Sequence, residues 1–237
     1  MSNDMPKTYF DSHSEDYAEQ IMATQPVFYE NSGRLLNAQL PAGGAVLDIG
    51  NGGVINYNYS RLARLDCGDL VVSQQAIEKY REIPNIRFFQ ADVLDLANIP
   101  SNCYDAVVVQ CVIHHLAGAS FSDSCSRVNA AVAECLRVLK PGGKVLVMES
   151  TVTGWFERVE RFLYPLMQAF FLLCRFGRVY QFSPKSLERL LSQAAGAQLL
   201  SSEKVDIGPH IWIMGKRIPT KITPCGVTFF VLEKESY

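Results

Sequence analysis

Asp48, Asp69 and Asp92 stand at the ends of three successive apolar, strand-like runs, Ala45 to Ile49, Arg64 to Gly68 and Ile86 to Gln90. One aspartate in such a place is ordinarily a solvated turn residue. Three in matching places would gather on one edge of a parallel sheet, the edge where open α/β sheets bind ligands. After the first comes Gly50-Asn51-Gly52-Gly53, a turn in which glycine admits positive φ and lets a ligand approach the backbone. Asp69 follows Asp48 by 21 residues, the separation at which an acid beyond a glycine turn accepts ribose hydroxyls. Ile49, Leu70 and Val93 adjoin the three acids and could sandwich a flat base. A fourth run, Tyr104 to Cys111, is followed by His114 and His115. An imidazole there is either a packing group or a proton acceptor.

The elements that must position these residues alternate between strand and helix. A helical run from Val27 to Leu40 follows Pro26, and Pro41 to Gly44 turns into the first strand. Ser14 is a possible cap for an earlier, thinner helix carrying Tyr17 and Ile21. Val54 to Ser60 is β-branched, Asn-rich and aromatic, so the helix that should follow the glycine turn is expected to be short or absent. Ser73 would cap a helix to Glu82, and Asp123 to Leu139 reads as a long amphipathic helix stopped by Lys140 to Gly143. Lys144 to Met148 is a fifth buried strand. Ser183-Pro184 opens a helix to about Ala195 as cap and first residue. Gln198 to Asp206 and Cys225 to Leu232 are two further strands, with an irregular connection between them containing Pro209, Pro219 and Pro224. The pattern is that of a doubly wound, mostly parallel α/β sheet.

Composition narrows the function classes. The 237 residues are 48% hydrophobic and 19% charged, with net charge −2, which is no footprint for nucleic acid. The seven cysteines form no C-x-x-C pair, so neither a zinc site nor a disulfide framework is expected. The start of the chain is polar, without an apolar signal region, and a cytoplasmic setting is expected.

Val46-Leu47-Asp48-Ile49-Gly50-x-Gly52 resembles the first motif of class I S-adenosylmethionine-dependent methyltransferases. The resemblance continues through Phe89-Gln90-Ala91-Asp92, Tyr104 to Val108, Val112 to Leu116, Leu136 to Gly143 and Phe182 to Leu191. The resemblance covers roughly residues 40 to 200 and implies a Rossmann-like fold of seven strands, the last antiparallel; the methyltransferase domain is expected over 41–237, with 1–40 as an N-terminal helical segment. It also implies S-adenosyl-L-methionine as cofactor and S-adenosyl-L-homocysteine as product. Gly50 and Gly52 would approach the methionine part, with Asp48 and Asn51 in the same loop. Asp69 and Leu70 would hold the ribose side, and Ala91, Asp92 and Val93 the adenine. Gln110 would lie under the methionine part, and Tyr9 or Tyr17 could cover the cofactor.

The chain departs from the family where Val54 replaces the third glycine and Asn51 sits between the first two, the signature of a remodelled loop. A nicotinamide oxidoreductase is disfavoured, because position 55 is Ile where its G-x-G-x-x-G fingerprint needs glycine. A non-catalytic S-adenosylmethionine-binding partner or scaffold subunit is the alternative reading. His114 and His115 are the candidate bases. The aromatic segment 151–182 is expected to be a helical cap over a small, apolar or aromatic acceptor, with Trp155, Tyr164 and Tyr180 touching it. Its apolar run is too short for a membrane span, while a peripheral membrane contact stays open.

Overall fold

The structure is a computed structural model that describes residues 22–173, 177–213 and 216–236. Ser14, Tyr9 and Tyr17 lie outside the described residues. Helix α1 (Pro26–Gln39) has proline in its first turn, where no N–H partner is needed. Then follow β1 (Ala45–Ile49), β2 (Arg64–Asp69), α2 (Gln74–Tyr80), β3 (Ile86–Gln90), β4 (Tyr104–Gln110), α3 (Phe121–Val138) and β5 (Leu139–Val152). The second half contains α4 (Gly154–Phe162), α5 (Tyr164–Leu173), α6 (Pro184–Ser192) and β6 (Ala197–Val205). A hairpin of β7 (His210–Ile213) and β8 (Lys216–Pro219) precedes β9 (Cys225–Lys234).

Seven strands form one sheet in the order β3-β2-β1-β4-β5-β9-β6. The first five run parallel, and β9 is antiparallel to both β5 and β6. Strands β1 and β4 lie inside the sheet and are covered on both faces, hence their nearly unbroken apolar sequence. Their side chains divide by the two-residue period of a strand. Leu47, Ile49, Val107 and Val109 pack toward α3 and α6, while Val46, Ala106 and Val108 pack toward α1. Ser73, Ser120 and Ser183 each cap a helix by accepting from the backbone N–H three residues on.

The structure departs from the sequence reading at several places. Strand β5 begins at Leu139 rather than Lys144, because Leu139 pairs with Tyr104 before a bulge and the ladder resumes at Ala106 and Lys144. Lys140 in that bulge is held by both carboxylate oxygens of Asp105, at 2.8 and 2.9 Å. Helix α3 starts at Phe121, two residues early, because Ser120 rather than a later residue caps it. The connection expected to be irregular holds the β7–β8 hairpin, with Pro219 at a strand end where its missing N–H is not needed. The expected absence of a helix after β1 does match the structure. Only a single 3-10 turn forms, at Tyr59–Arg61.

Candidate active site

The carboxyl ends of β1, β2, β4 and β5 converge on one edge of the sheet. Gly50 leaves β1 there with φ of +75°, its N–H donating to Gly68 O at 2.8 Å. A Cβ on Gly50 would stand 2.2 Å from Val112 Cγ2, so nothing larger than glycine fits. The Val54 N–H donates to Asn51 O and closes the turn. Val54, Ile55 and Tyr57 then turn inward and are buried. The apolar residues that replace the family's third glycine and helix are thus spent on the core beside α1.

Asp48 is not at the mouth of the turn but under it. It shares the face of Val46, the side toward α1, and is fully buried. Its Oδ2 accepts from Tyr57 OH at 2.6 Å and from Asn51 Nδ2 at 2.9 Å, and Asn51 also donates to Val54 O. Burial pushes the Asp48 carboxyl up to about 7, against the pull of these two donors. Asn51, the departure between the glycines, is thereby the clamp that ties the loop to its floor. Tyr57, which the sequence reading did not single out, is the other donor.

Asp69 closes β2. Its Oδ2 accepts from Gly52 N at 2.8 Å and its Oδ1 from Val71 N at 3.2 Å. Burial raises its pKa, while the backbone donors oppose the rise. Leu70 beside it is 39% exposed, an apolar side chain left uncovered at the sheet edge. Ala91 is tied to Asp69 O by its N–H. Asp92 folds into a tight turn by accepting from Leu94 N at 2.9 Å, and Val93 is buried beneath it.

Gln110 is level with Gly50, one step past the Ile49–Val109 pair. Its Nε2 donates to Asn56 Oδ1, and Asn56 in turn reaches Ser32 and Tyr29 on α1. Cys111 then takes φ of +54°, a left-handed conformation uncommon for a side-chain-bearing residue, and the chain bends into a short turn, Ile113–Leu116. His114 Nδ1 lies 2.6 Å from Glu149 Oε1. Glu149, near the end of β5 and buried, also accepts from Ile113 N and Ser150 N, each at 2.6 Å. Sequence reasoning missed Glu149, although it is one more acid at the carboxyl end of a strand. His115 lies against His114, with ring centroids 4.0 Å apart and the planes tilted by 43°. Burial, with His114 adding, holds its pKa well below that of an ordinary imidazole.

The segment 151–182 divides. After α5 the chain returns across the carboxyl edge, with Tyr180 N donating to His114 O and Val152 N to Phe182 O. Tyr180 and Tyr164, expected to touch an acceptor, are core residues. Tyr164 OH is committed to Ser124 Oγ and Gly118 O, and Tyr180 OH to Glu157. Their hydroxyls find partners inside the protein, which removes the reason for expecting them at a ligand. Trp155 faces outward, 62% exposed.

The site suits a nucleoside bearing an amino acid. Asp48 Oδ1, Asn51 Oδ1 and Gln110 Oε1 are buried acceptors with no hydrogen-bond partner among the described residues. Buried acceptors left open are costly unless a ligand donor meets them. The tight glycine turn, the acceptor-rich Asp69 and the uncovered Leu70 complete the fit. Strand order and site together define a Rossmann-like methyltransferase fold.

Residues 47–147 match the family model described as a methyltransferase domain. That match, with the fold, supports a class I S-adenosylmethionine-dependent methyltransferase domain with S-adenosylmethionine as cofactor. It is 35% identical over 137 residues to the tRNA (carboxymethyluridine(34)-5-O)-methyltransferase ALKBH8 of Macaca fascicularis. That match covers 56% of this chain and 18% of the macaque protein, so the chain spans about a fifth of that relative's length. Among solved structures it resembles a putative methyltransferase in complex with the Haloferax volcanii Trm112 activator, at TM-score 0.65 and 16% identity over 96% of each chain. It also resembles the Burkholderia thailandensis 1,6-didemethyltoxoflavin-N1-methyltransferase with bound 1,6-didemethyltoxoflavin and S-adenosylhomocysteine. There the TM-score is 0.62 and the identity 16%, over 97% of this chain and 90% of that one.

Proposed function

We propose that the chain methylates an oxygen or nitrogen of a small acceptor, and that His114 takes the acceptor's proton. The observation that carries this reading is the 2.6 Å contact of His114 Nδ1 with the buried Glu149 carboxylate. In a neutral imidazole so placed, Nδ1–H donates to the carboxylate and leaves the Nε2 lone pair to accept a proton. Glu149 fixes the tautomer and the ring. His115, whose basicity burial suppresses, serves packing.

S-adenosylmethionine supplies a methyl group on an already activated sulfonium, so the protein's contribution is positioning, desolvation and the removal of one proton. In this reading Asp69 accepts both ribose hydroxyls, and Asp92 with the Val93 backbone meets the adenine, beside the uncovered Leu70. The open acceptors of Asn51 and Gln110 receive the ammonium, above an Asp48 that braces the loop. Residues 41–237 act as one methyltransferase domain, and the returning chain at 177–183 closes the acceptor side.

The test is turnover with a series of phenol or amine acceptors of graded acidity. His114→Ala should lose about 10²–10⁴-fold in kcat with cofactor affinity kept. The loss should shrink as the acceptor grows more acidic, and Glu149→Gln should show the same trend more weakly. A uniform loss across the series would remove the base role. A tRNA acceptor, as named for the macaque relative, is the second reading. A net charge of −2 gives it little electrostatic support, and transfer of labelled methyl to bulk tRNA decides it.

A further inference from the structure

Helices α4 and α5 are turned inside out. In α4 the side chains facing the core are Glu157 and Glu160, and in α5 they are Tyr164 and Gln168. Glu157 Oε2 accepts from Ser183 Oγ and Ser186 Oγ at 2.5 and 2.7 Å, and Gln168 Nε2 donates to Val179 O at 2.7 Å. Polar side chains therefore fasten this helix pair to the body. Six large apolar ones point away from it: Trp155, Val159, Phe162, Leu166, Phe170 and Leu173, spaced 4, 3, 4, 4 and 3 residues apart. Phe162 and Leu173 are each 84% exposed. A stripe this continuous on a monomer marks an interaction surface rather than scattered exposure.

The charges identify the partner. Of the four charged residues in α4 and α5, the two glutamates are buried and the two arginines, Arg158 and Arg161, are exposed. The exposed charges of these two helices are thus cationic, Arg158 and Arg161, in a chain of net charge −2. Neither arginine makes an ion pair among the described residues, and Arg161 instead lies over the Phe121 ring at 4.0 Å. A face joining tryptophan, phenylalanine and leucine to arginine, with no anion, matches the headgroup–acyl boundary of a bilayer containing anionic lipid. Two copies meeting through this face would bring like charges together around the apolar stripe. No helix among the described residues is long and apolar enough to cross a membrane, so the pair would lie in the surface.

We propose that the outward face of α4 and α5 docks the protein onto the surface of an anionic lipid bilayer. The surface is independent of the acceptor reading, and its test uses no methyl transfer. The full chain is floated with vesicles of phosphatidylcholine alone and of equal parts phosphatidylcholine and phosphatidylglycerol. It should partition onto the anionic vesicles, weaken with added salt, and show blue-shifted Trp155 emission against a Trp155→Phe control. Phe162→Ser with Leu166→Ser should lower partitioning roughly tenfold or more at unchanged melting temperature, and Arg158→Gln should lower it more weakly. Failure to float with the anionic vesicles overturns the proposal. So does equal binding to both vesicle types, or binding that the double substitution leaves intact. Self-association abolished by that substitution, without flotation, would assign the face to a second copy and overturn it as well.

Discussion

Removing the Asp69 carboxylate tests how the cofactor is held. Each oxygen already accepts one backbone N–H, Oδ2 from Gly52 and Oδ1 from Val71. A carboxylate has about four acceptor positions, so one remains on each oxygen, enough for the two vicinal hydroxyls of a ribose. A hydrogen bond to a charged group contributes about 1.5–3 kcal/mol. Both hydroxyls leave water to make theirs, so we expect about 1.5–3 kcal/mol for the pair together, or roughly a 10–150-fold weaker Kd for Asp69→Ala. Asp69→Asn keeps one oxygen for Gly52 but sets a donor where acceptors are needed, and should lose nearly as much. Calorimetric titration with S-adenosylhomocysteine and with its 2′-deoxy analogue separates ribose recognition from loop bracing. Wild type should discriminate against the deoxy analogue, and both variants should lose most of that discrimination. Acid should weaken cofactor binding as well. Burial raises the Asp69 pKa, so protonation removes its acceptors at a higher pH than for an ordinary carboxylate. If the variants bind within about twofold of wild type, or discriminate between the two ligands as wild type does, the ribose lies elsewhere and the reasoning fails.

Two other substitutions probe the loop. Asp48 is held near 7 by burial, against 3.8 unperturbed, so its stabilising contribution is complete below about pH 4 and is lost as pH rises to about 7. Asp48→Asn abolishes that dependence. Its unfolding free energy relative to wild type should swing in its favour by up to about 4 kcal/mol between about pH 4 and pH 8. Denaturant titrations that run parallel across this range would refute the buried carboxyl. Gly50→Ala should cost more than the 1–2 kcal/mol or so of a left-handed residue, because its Cβ meets Val112. Gly196→Ala has φ of +75° and nothing within 4 Å, and should cost only the backbone term. Equal melting temperatures for the two variants would show that the loop gives way.

Much of the fold was legible because it rests on local rules. Apolar runs of strand length, serines before helices and prolines at first turns are sequence features, and the alternation of strand and helix prescribes a parallel sheet. Val54 to Ser60 was legible for the same reason, since β-branched and Asn-rich residues form poor helix anywhere in a chain. Asp69 and Asp92 do stand at strand ends on one edge of the sheet. Which way each acid faces was another matter. Asp48 points under the loop because one residue of register decides its face. Its partner Tyr57 comes from a segment with no regular pattern of its own. The pairing of His114 with Glu149 joins residues 35 apart through the parallel contact of β4 and β5, and no spacing rule encodes it. The aromatic segment shows the limit most plainly. Its composition is the same whether Tyr164 and Tyr180 lie in the core or line a pocket. Only the tertiary structure turned its glutamates inward and its tryptophan outward, since burial depends on what the remainder of the chain packs against it.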